Sequence, residues 1–265
     1  MATITESARH FFGHGQTWLF PRTAGGVPDG TVATALSLPE VDSIELTFPT
    51  EKVERMSKRD ALSTKAFSVV KSIMGTGKLV CSQHTMDLLS LYLFGTKSTV
   101  TGGAASGAAF VPASGIVAGA ILPFPGDRTR LSTFTSSVDS AGSPATLVNG
   151  TDYEVDNQAG VIKFINVAGF TQPFKLNGTE DAGNQVAGFT VRAQERWLRH
   201  KVINIADSDD AGVLDVYRIQ IDPAAAWNLI TDGNEPNKYE LNFQVLKDTT
   251  KSSSATGGQF FRYVE

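Results

Sequence analysis

Two short stretches in which apolar and polar residues alternate strictly constrain the fold of this 265-residue chain more than any other feature. Residues 217–222 and 239–245 change from apolar to polar at each step. Successive side chains of a β-strand point to opposite faces, so this period of two is typical of a strand with one face in a core and one in solvent. Both stretches are therefore predicted to be half-buried β-strands.

Weaker strand patterns occur along much of the remaining chain. Residues 41–48 alternate in the same way, and the pair of strands predicted at 146–167 contains an Asn149-Gly150 turn signal. Helical patterns are few and do not alternate with the strands, so the chain does not fit a βαβ fold. We expect a mainly β protein, an antiparallel β-sandwich or barrel. Further strands are predicted at 67–74, 78–82, 115–122, 131–138 and 186–205.

Two helices interrupt this pattern. The first covers about residues 84–94, is apolar on most sides and is therefore predicted to be buried, and it ends at Gly95. The second covers about residues 223–231, because Asp222 can cap it and Pro223 suits its first position. The side chains expected to face inward from this short helix are Trp227 and Ile230.

The first 40 residues show no steady period and contain many turn-forming glycines and prolines. They nevertheless include Phe11, Phe12 and Trp18, which is more aromatic content than a solvated disordered tail usually carries. We therefore expect a long extended N-terminal arm over residues 1–40 that docks on a neighbouring subunit.

Length and composition bound the remaining architecture. The chain is long enough to bury a core without disulfides, and residues 41–265 are predicted to form one β domain with a Gly/Ala-rich insertion around 99–145. Its single cysteine, Cys81, has apolar neighbours and is predicted to be a small buried hydrophobe. The N-terminus does not read as a secretory signal and no apolar stretch is long enough to cross a bilayer. We expect a soluble protein without a membrane partner.

Motifs that would carry chemistry are incomplete in this sequence. Residues 75–78 imitate a phosphate loop, but Ser72 stands where its first glycine belongs and Leu79 where a magnesium-binding Ser or Thr belongs. Residues 207–212 imitate the start of a calcium loop, but its twelfth position would be Arg218, a cation in place of a carboxylate. Both stretches are better explained as turns.

Patterns typical of metal sites and of catalytic nucleophiles are also incomplete. His10 and His14 have helical spacing, but the glycines beside them disfavour a helix and no third ligand has a supporting position. Ser106 and Ser114 lack the Gly-x-Ser-x-Gly elbow of a nucleophile. The sequence therefore predicts neither an enzyme nor a bound metal or cofactor.

Charged residues cluster in two places. The connection from residue 51 to 60 mixes both signs, which suits either a solvated hairpin or contact with an identical subunit, where each sign can meet its complement. A second, basic cluster surrounds Trp197 between Arg192 and Lys201, and it fits either a nucleic-acid patch or subunit contacts. The net charge of −4 disfavours a sequence-independent grip on DNA.

The order of these pieces resembles the major tail tube proteins of long, non-contractile-tailed bacteriophages, the siphophage tail tube family. The resemblance covers roughly residues 41–250. It rests on the order of the segments and on their residue patterns, and not on a signature motif. The Gly/Ala-rich residues 101–119 and the aromatic arm depart from the family pattern. The segments that carry the resemblance are Val41-Asp-Ser-Ile-Glu-Leu-Thr-Phe48, the charged hairpin to Lys71, Gly77-Lys-Leu-Val80, Leu93-Phe94-Gly95, Thr151-Asp-Tyr-Glu-Val-Asp156, Gly160-Val-Ile-Lys-Phe164 and Tyr239-Glu-Leu-Asn-Phe243.

This resemblance implies a β-sandwich related to type VI secretion tube proteins, assembled as hexameric rings that stack into a hollow tail. The implied partners are other copies of the chain and the tape-measure, tail-terminator and distal tail proteins. Double-stranded DNA would pass through the tube without specific binding. The implied location is the tail of the virion, after synthesis in the cytoplasm of the host bacterium.

A conduit for DNA should lack fixed positive charges on its wall, because each phosphate held by Lys or Arg would retard sliding. The candidate lumen-facing residues are Glu45, Thr47, Glu240, Asn242 and Gln244. The candidate inter-subunit residues are Phe11, Phe12, Trp18, Glu51, Glu54, Arg55, Lys58, Arg59, Asp60, Arg196 and Arg199.

Two other functions remain open at this point. A different virion β-protein, such as a capsid decoration or tail-completion protein, would share the architecture without forming stacked rings. A carbohydrate-binding β-sandwich would need an exposed aromatic platform, for which Trp18, Trp197 and Trp227 are the candidates.

Overall fold

A computed structural model shows that the chain is mainly β, with antiparallel strand pairing and one helix among the residues it describes. The described residues are 13–30, 35–38, 40–59, 64–126, 130–205, 210–231, 233, 235–252 and 258–264. The elements are β1 (Gly13–Pro21), β2 (Leu36–Ser37), β3 (Val41–Thr47), β4 (Thr50–Ser57), β5 (Thr64–Ile73), β6 (Gly75–Cys81), α1 (Met86–Tyr92), β7 (Thr96–Val100), β8 (Gly103–Ala109), β9 (Ile121–Pro123), β10 (Leu131–Val138), β11 (Tyr153–Asp156), β12 (Val161–Phe164), β13 (Lys175–Glu180), β14 (Gly183–Ala187), β15 (Glu195–Asn204), β16 (Asp210–Ile221), β17 (Tyr239–Val245) and β18 (Phe261–Val264).

The chain divides into two compact units. The first unit contains residues 1–97 and 186–265, and the second contains residues 98–185. The Gly/Ala-rich segment expected around 99–145 lies within the second unit, which continues to Gln185. Strands β7 and β14 form a two-stranded sheet.

The first unit is built on one large antiparallel sheet. Its strands follow the order β2-β1-β15-β16-β17-β6-β3, and β18 pairs with β16 beside this path. Along β17 every odd-numbered residue is buried and every even-numbered residue is exposed, so the alternation in 239–245 predicted the strand and its faces correctly. The face opposite the core is called the outer face below.

This sheet curls until its two edges nearly meet. The edge strands β2 and β3 stand at opposite ends of the strand order, about 29 Å apart if the sheet were flat. They are nevertheless joined by residues 38–40 alone, which can span only about 14 Å. The Leu38 N–H donates to the Thr17 carbonyl at 2.9 Å, and the Ser82 N–H donates to the Glu40 carbonyl at 3.2 Å. No β1–β3 ladder forms among the described residues, so the sheet stays open and the closed-barrel alternative is wrong.

Helix α1 packs into the core of the first unit. The Thr85 hydroxyl caps it by accepting from the Leu88 N–H at 3.1 Å, while Leu88 and Leu89 are buried with Leu79 and Leu198 from the sheet. The prediction of a buried helix is confirmed, although it is shorter than the expected 84–94.

One long hairpin leaves the sheet. Strands β3 and β6 pair within the sheet, and beyond Pro49 and Met74 the same two chain segments continue as the separate pair β4 and β5. The eight residues of β4 extend for about 26 Å. Residues 51–60 were expected to be a connection, with a solvated hairpin as one alternative; Thr50–Ser57 is instead a strand with two register shifts, and it forms a hairpin with β5.

The second unit has its own core. Two three-stranded sheets, β10-β13-β8 and β11-β12-β9, surround buried aromatic and aliphatic residues that include Phe164, Phe174 and Leu176. The predicted hairpin at 146–167 exists as β11 and β12, but the Asn149-Gly150 turn precedes β11 and does not join the two strands. Of the strand expected at 115–122, only the last two residues belong to a strand, β9.

Two further expectations were wrong. Residues 1–40 were expected to be an arm that docks on a neighbouring subunit, but Gly13–Pro21 is strand β1 and pairs along its whole length with β15 of the same chain, while residues 1–12 lie outside the described residues. Residues 223–231 form no helix. The side chains meant to anchor that helix, Trp227 and Ile230, are 40% and 91% exposed, and a helix this short is not stable without packing.

Candidate assembly surfaces

All five candidate lumen-facing residues lie on one outer face of the large sheet. In the strand register, Glu45 and Asn242 both stand opposite Lys78, and Thr47 and Gln244 both stand opposite Thr76. Residues paired across strands share a face, so these side chains form two continuous rows. The fifth candidate, Glu240, lies two residues before Asn242 on the same exposed side of β17.

This outer face is acidic to neutral. Lys78 is the sole cation in β3, β6 and β17, all of which the structure describes. Its Nζ lies 2.8 Å from Glu240 Oε2, so its charge is matched within the face. The Thr47 hydroxyl contacts Glu45 Oε1 at 3.5 Å, and no described cation pairs with Glu45. A strongly cationic wall is thus excluded for these three strands.

The arginines that border this face are paired with carboxylates. Arg218 Nε donates to Glu195 Oε2 at 2.9 Å, and this hydrogen bond lowers the pKa of Glu195. Arg22 bridges Glu195 at 3.3 Å and the buried Asp248 at 2.8 Å. Charges held in this way are poorly available for phosphate groups.

The basic cluster around Trp197 is also largely engaged within the chain. Arg199 donates from Nε and Nη2 to the two oxygens of Asp215, at 2.6 and 2.9 Å. Arg262 and Trp197 Nε1 donate to the same carboxylate, at 3.1 and 3.2 Å. Burial alone would raise the pKa of Asp215, but these hydrogen bonds outweigh it and lower that pKa. Arg199 of this cluster therefore belongs to a structural ion-pair network centred on Asp215.

Arg196 stands apart from that network. It donates from Nη2 to Gln194 Oε1 at 2.7 Å, and burial lowers the pKa of its guanidinium. It lines a cavity of about 380 Å³ together with Leu19 of β1 and Phe94 beyond α1. Arg196 and Arg199 are therefore not brought together at one exposed contact surface.

The three tryptophans do not form a common platform. Trp197 is 7% exposed and Lys251 Nζ lies 4.7 Å from its ring centroid, so a sugar ring cannot stack on it. Trp18 is half-buried on β1, and Trp227 is exposed in the irregular segment after β16. The burial of Trp197 weakens the carbohydrate-binding alternative.

The hairpin of β4 and β5 carries most of the predicted contact residues. Glu51, Glu54, Arg55, Lys58 and Arg59 are on it, whereas Asp60, Phe11 and Phe12 lie outside the described residues. Two of the acids are paired across the strands, Glu54 with Lys65, and Glu51 with Lys71 at 3.0 Å. Trp18 lies on β1 of the large sheet, which contains neither β4 nor β5.

Sequence reasoning missed the apolar character of this hairpin. Val53 pairs with Val69, and the adjacent pair of Lys52 with Val70 points to the opposite face. Large apolar side chains are therefore exposed on both faces of a two-stranded ribbon. Those near half exposure are Val53, Met56, Phe67, Val69, Val70 and Ile73. The apolar run within 67–74 is the sequence signal for this surface, although by its pattern it predicts only a strand.

Among the described residues, side chains that could bind a metal or take part in catalysis are few and scattered. Within the described part of the chain, no three His, Cys, Asp or Glu side chains cluster as metal ligands do. Cys81 is fully buried, as predicted, and burial raises the pKa of its thiol to about 12, so it is a poor nucleophile. His200 Nδ1 lies 2.9 Å from the Thr17 hydroxyl, between β15 and β1.

The fold and these surfaces define a mainly antiparallel β protein with a polar outer face and a projecting apolar hairpin. The chain belongs to the family described as Protein of unknown function UCP028589, whose model matches residues 10–264. A comparison with curated proteins finds no match. No helix in the described ranges is long and apolar enough to cross a membrane.

Proposed function

We propose that the chain is a structural virion protein that polymerises as stacked hexameric rings into the hollow tail tube of a long, non-contractile-tailed phage. DNA passes through this tube into the host without being bound specifically. The partners are identical copies and, at the ends and within the bore, the tail-terminator, distal tail and tape-measure proteins. Its place is the tail of the virion, after synthesis in the bacterial cytoplasm.

The observation that carries this proposal is the exposed hairpin of β4 and β5. An isolated two-stranded hairpin is marginally stable in water, and large apolar patches are rare on monomeric proteins. The hairpin nevertheless keeps Val53, Phe67 and Ile73 each about half exposed. Such an element gains its stability when a partner covers it, and a subunit built for repeated self-association supplies that partner in every copy.

The outer face of the large sheet supports the proposal that DNA passes through the tube without being bound specifically. A tube wall must release a polyanion, and the rows that include Glu45, Asn242 and Gln244 offer carboxylate and amide groups with one internally paired lysine. These properties suit a lumen. They also fit an enzyme poorly, because no described cluster joins a nucleophile, a base and an orienting group.

Electron microscopy of the purified protein tests the proposal. At high protein concentration we expect rings of six copies and tubes of stacked rings in negative stain. The double variant Val53→Ser with Phe67→Ser should remain as single subunits. A control of the same kind, Val117→Ser with Ile121→Ser, removes two exposed apolar side chains from the second unit and should assemble normally.

The alternatives predict different images. A capsid decoration or tail-completion protein would give small closed oligomers without stacked rings. Wild-type protein that stays as single compact molecules at every concentration, or a hairpin variant that assembles like wild type, would contradict the proposal.

A further inference from the structure

The two edges of the curled sheet enclose a groove, which we call the seam groove. It has a volume of about 650 Å³ and lies between residues 13–17 of β1 and the segment from Ser37 to Asp42. The Leu38 N–H donates to the Thr17 carbonyl and so joins the two walls, while the Ser82 N–H donates to the Glu40 carbonyl and fixes the second wall to β6. The seam groove therefore begins where the edges of the sheet are held close.

Backbone groups along the walls of the seam groove are available for pairing. Strand β1 pairs with β15 on one side, while on its other side β2 covers only Trp18 and Leu19, and Leu38 adds one bond. Residues 13–16 thus present a free strand edge among the described residues. Strand β3 pairs with β6 alone. A free edge is a template for a strand supplied by another molecule.

The seam groove is acidic. Its lining contains Glu40 and Asp42 but no lysine or arginine. Glu40 accepts a hydrogen bond from Gln83 at 3.3 Å, and Asp42 lies 3.6 Å from Lys238. A strand that enters this groove must bring positive charge to match it.

The hairpin of β4 and β5 has the opposite charge. Residues 50–73 include six lysines and arginines against three acids, although the whole chain has a net charge of −4. Both of its strands have a free edge, since within the described part of the chain each pairs only with the other. Its apolar side chains are exposed, as described above. It combines free backbone edges, positive charge and unburied apolar groups in one projecting element.

We propose that the seam groove of one copy receives the basic hairpin of a second copy, by strand addition to the free edge of β1 or β3. This inference rests on the proposed function and names the surface on which the hairpin docks. The hairpin of the same chain lies outside its own groove, whose lining includes no described residue of 50–73. The seam groove lies at the first residues of β3, and the hairpin departs from the other end of that strand, about 20 Å away.

Because the groove and the hairpin are different parts of the same chain, the contact is head-to-tail. A head-to-tail contact generates a closed ring when its rotation closes and a helical filament when it does not. Every copy then has one groove and one hairpin, so no copy in a closed ring is left with an unpaired surface.

A charge-exchange experiment tests the proposal on the full chain. Variant one, Glu40→Lys with Asp42→Lys, makes the groove basic, and variant two, Lys58→Glu with Arg59→Glu, makes the hairpin acidic. We expect each variant alone to need at least about tenfold more protein to assemble, measured by sedimentation velocity, because like charges then meet in the groove. An equimolar mixture should assemble as wild type does, because each hairpin then finds a groove of opposite charge.

Controls keep the outcome interpretable. Glu154→Lys with Asp181→Lys makes the same charge change on exposed acids of the second unit and should assemble normally. Each variant must keep the wild-type circular dichroism spectrum, and a groove variant that misfolds is replaced by Glu40→Gln with Asp42→Asn, which should weaken assembly less. Restoration by mixing is a result that a misfolded protein cannot produce.

Three outcomes would overturn the inference. If variant one assembles like wild type while the hairpin variant Val53→Ser with Phe67→Ser does not, the groove is not the docking site but the proposed function stands. If removal of residues 1–12 abolishes assembly and the charge changes do not, that segment occupies the groove. If none of these changes affects assembly, both the inference and the proposed function fail.

Discussion

Many charged side chains in the first unit pair with one another. Asp215 is one of them, and its almost fully buried carboxylate has three donor side chains around it. Its side chain is 1% exposed and accepts hydrogen bonds from Arg199, Arg262 and Trp197. A carboxylate can be buried at tolerable cost only when partners of this kind surround it. Arg262 belongs to β18, so the same carboxylate also attaches the last strand to the sheet.

Replacing Asp215 by Asn should destabilise the protein by about 2 kcal/mol, below the usual range for breaking a buried pair, because Arg199 and Arg262 remain nearly half exposed and are screened by water. Urea denaturation followed by circular dichroism measures this loss. Asp181→Asn removes an exposed partner of Arg130 and should cost no more than about 1 kcal/mol. Equal losses for both variants would show that the buried network has no special role.

His200 predicts how stability depends on pH. Burial lowers the pKa of His200 in the folded protein, and its Nδ1 contacts the fully buried Thr17. The unfolded chain therefore binds a proton at a higher pH than the folded chain does. The stability linked to neutral His200 is present above the unfolded pKa of about 6.5 and is lost as pH falls toward the lower folded value.

Melting temperature should accordingly decline between about pH 7 and pH 5.5, where the unfolded histidine gains its proton. A His200→Gln variant should show a much smaller decline over the same range. The carboxylates with lowered pKa, such as Asp215 and Asp139, also destabilise the fold on protonation, but they do so at more acidic pH. An unchanged slope in the variant would assign the effect to another group.

Elements differ in how much of their stability comes from their own subunit. Strand β17 is buried on one face and paired with β6 and β16, so its hydrogen bonds open only when much of the sheet unfolds. Among the residues that the structure describes, strands β4 and β5 pair only with each other, and they are exposed along nearly their full length. Their amides are protected by a single ladder that water can reach from both faces.

Amide hydrogen exchange should reveal this difference. In single subunits, peptides from residues 50–73 should exchange at least about tenfold faster than peptides from 239–245, because local opening costs far less than unfolding of the sheet. On assembly, protection should increase in 50–73 and remain unchanged in the strands of the core. Rapid exchange of the hairpin in assembled material would exclude it from the contact.

At the scale of the whole molecule, the chain consists of two units with separate cores. The core of the first unit unites α1 with the large sheet, and the core of the second unit is formed by aromatic and aliphatic residues from its two small sheets. The surfaces assigned to assembly, namely the outer face, the seam groove and the projecting hairpin, all belong to the first unit.

The second unit should therefore fold when it is produced alone as residues 98–185. Its 88 residues enclose a core of their own, with Phe110, Phe164 and Phe174 almost fully buried in ring contact. Dispersed amide signals in a two-dimensional NMR spectrum and a cooperative thermal transition would confirm this. A collapsed spectrum without a transition would mean that the first unit is needed for its stability.

Local patterns in the sequence determined a substantial part of this protein. Strict alternation identified β17 and its two faces, the alternation of 41–48 placed Glu45 and Thr47 on the exposed face, and the apolar run after residue 84 identified α1. These predictions succeeded because the period of side chains along a strand or helix is set by residues a few positions apart. The five residues expected to share one wall do share one face.

Only the tertiary structure decided the remaining features. Strand β1 carries no clear period and exists because β15 offers it a full ladder, whereas residues 223–231 have helical signals but no surface on which to pack. The seam groove arises where residues distant in sequence bring two sheet edges together. Pairing and curling of this kind depend on the free energy of contacts between remote segments, which no local window of sequence contains.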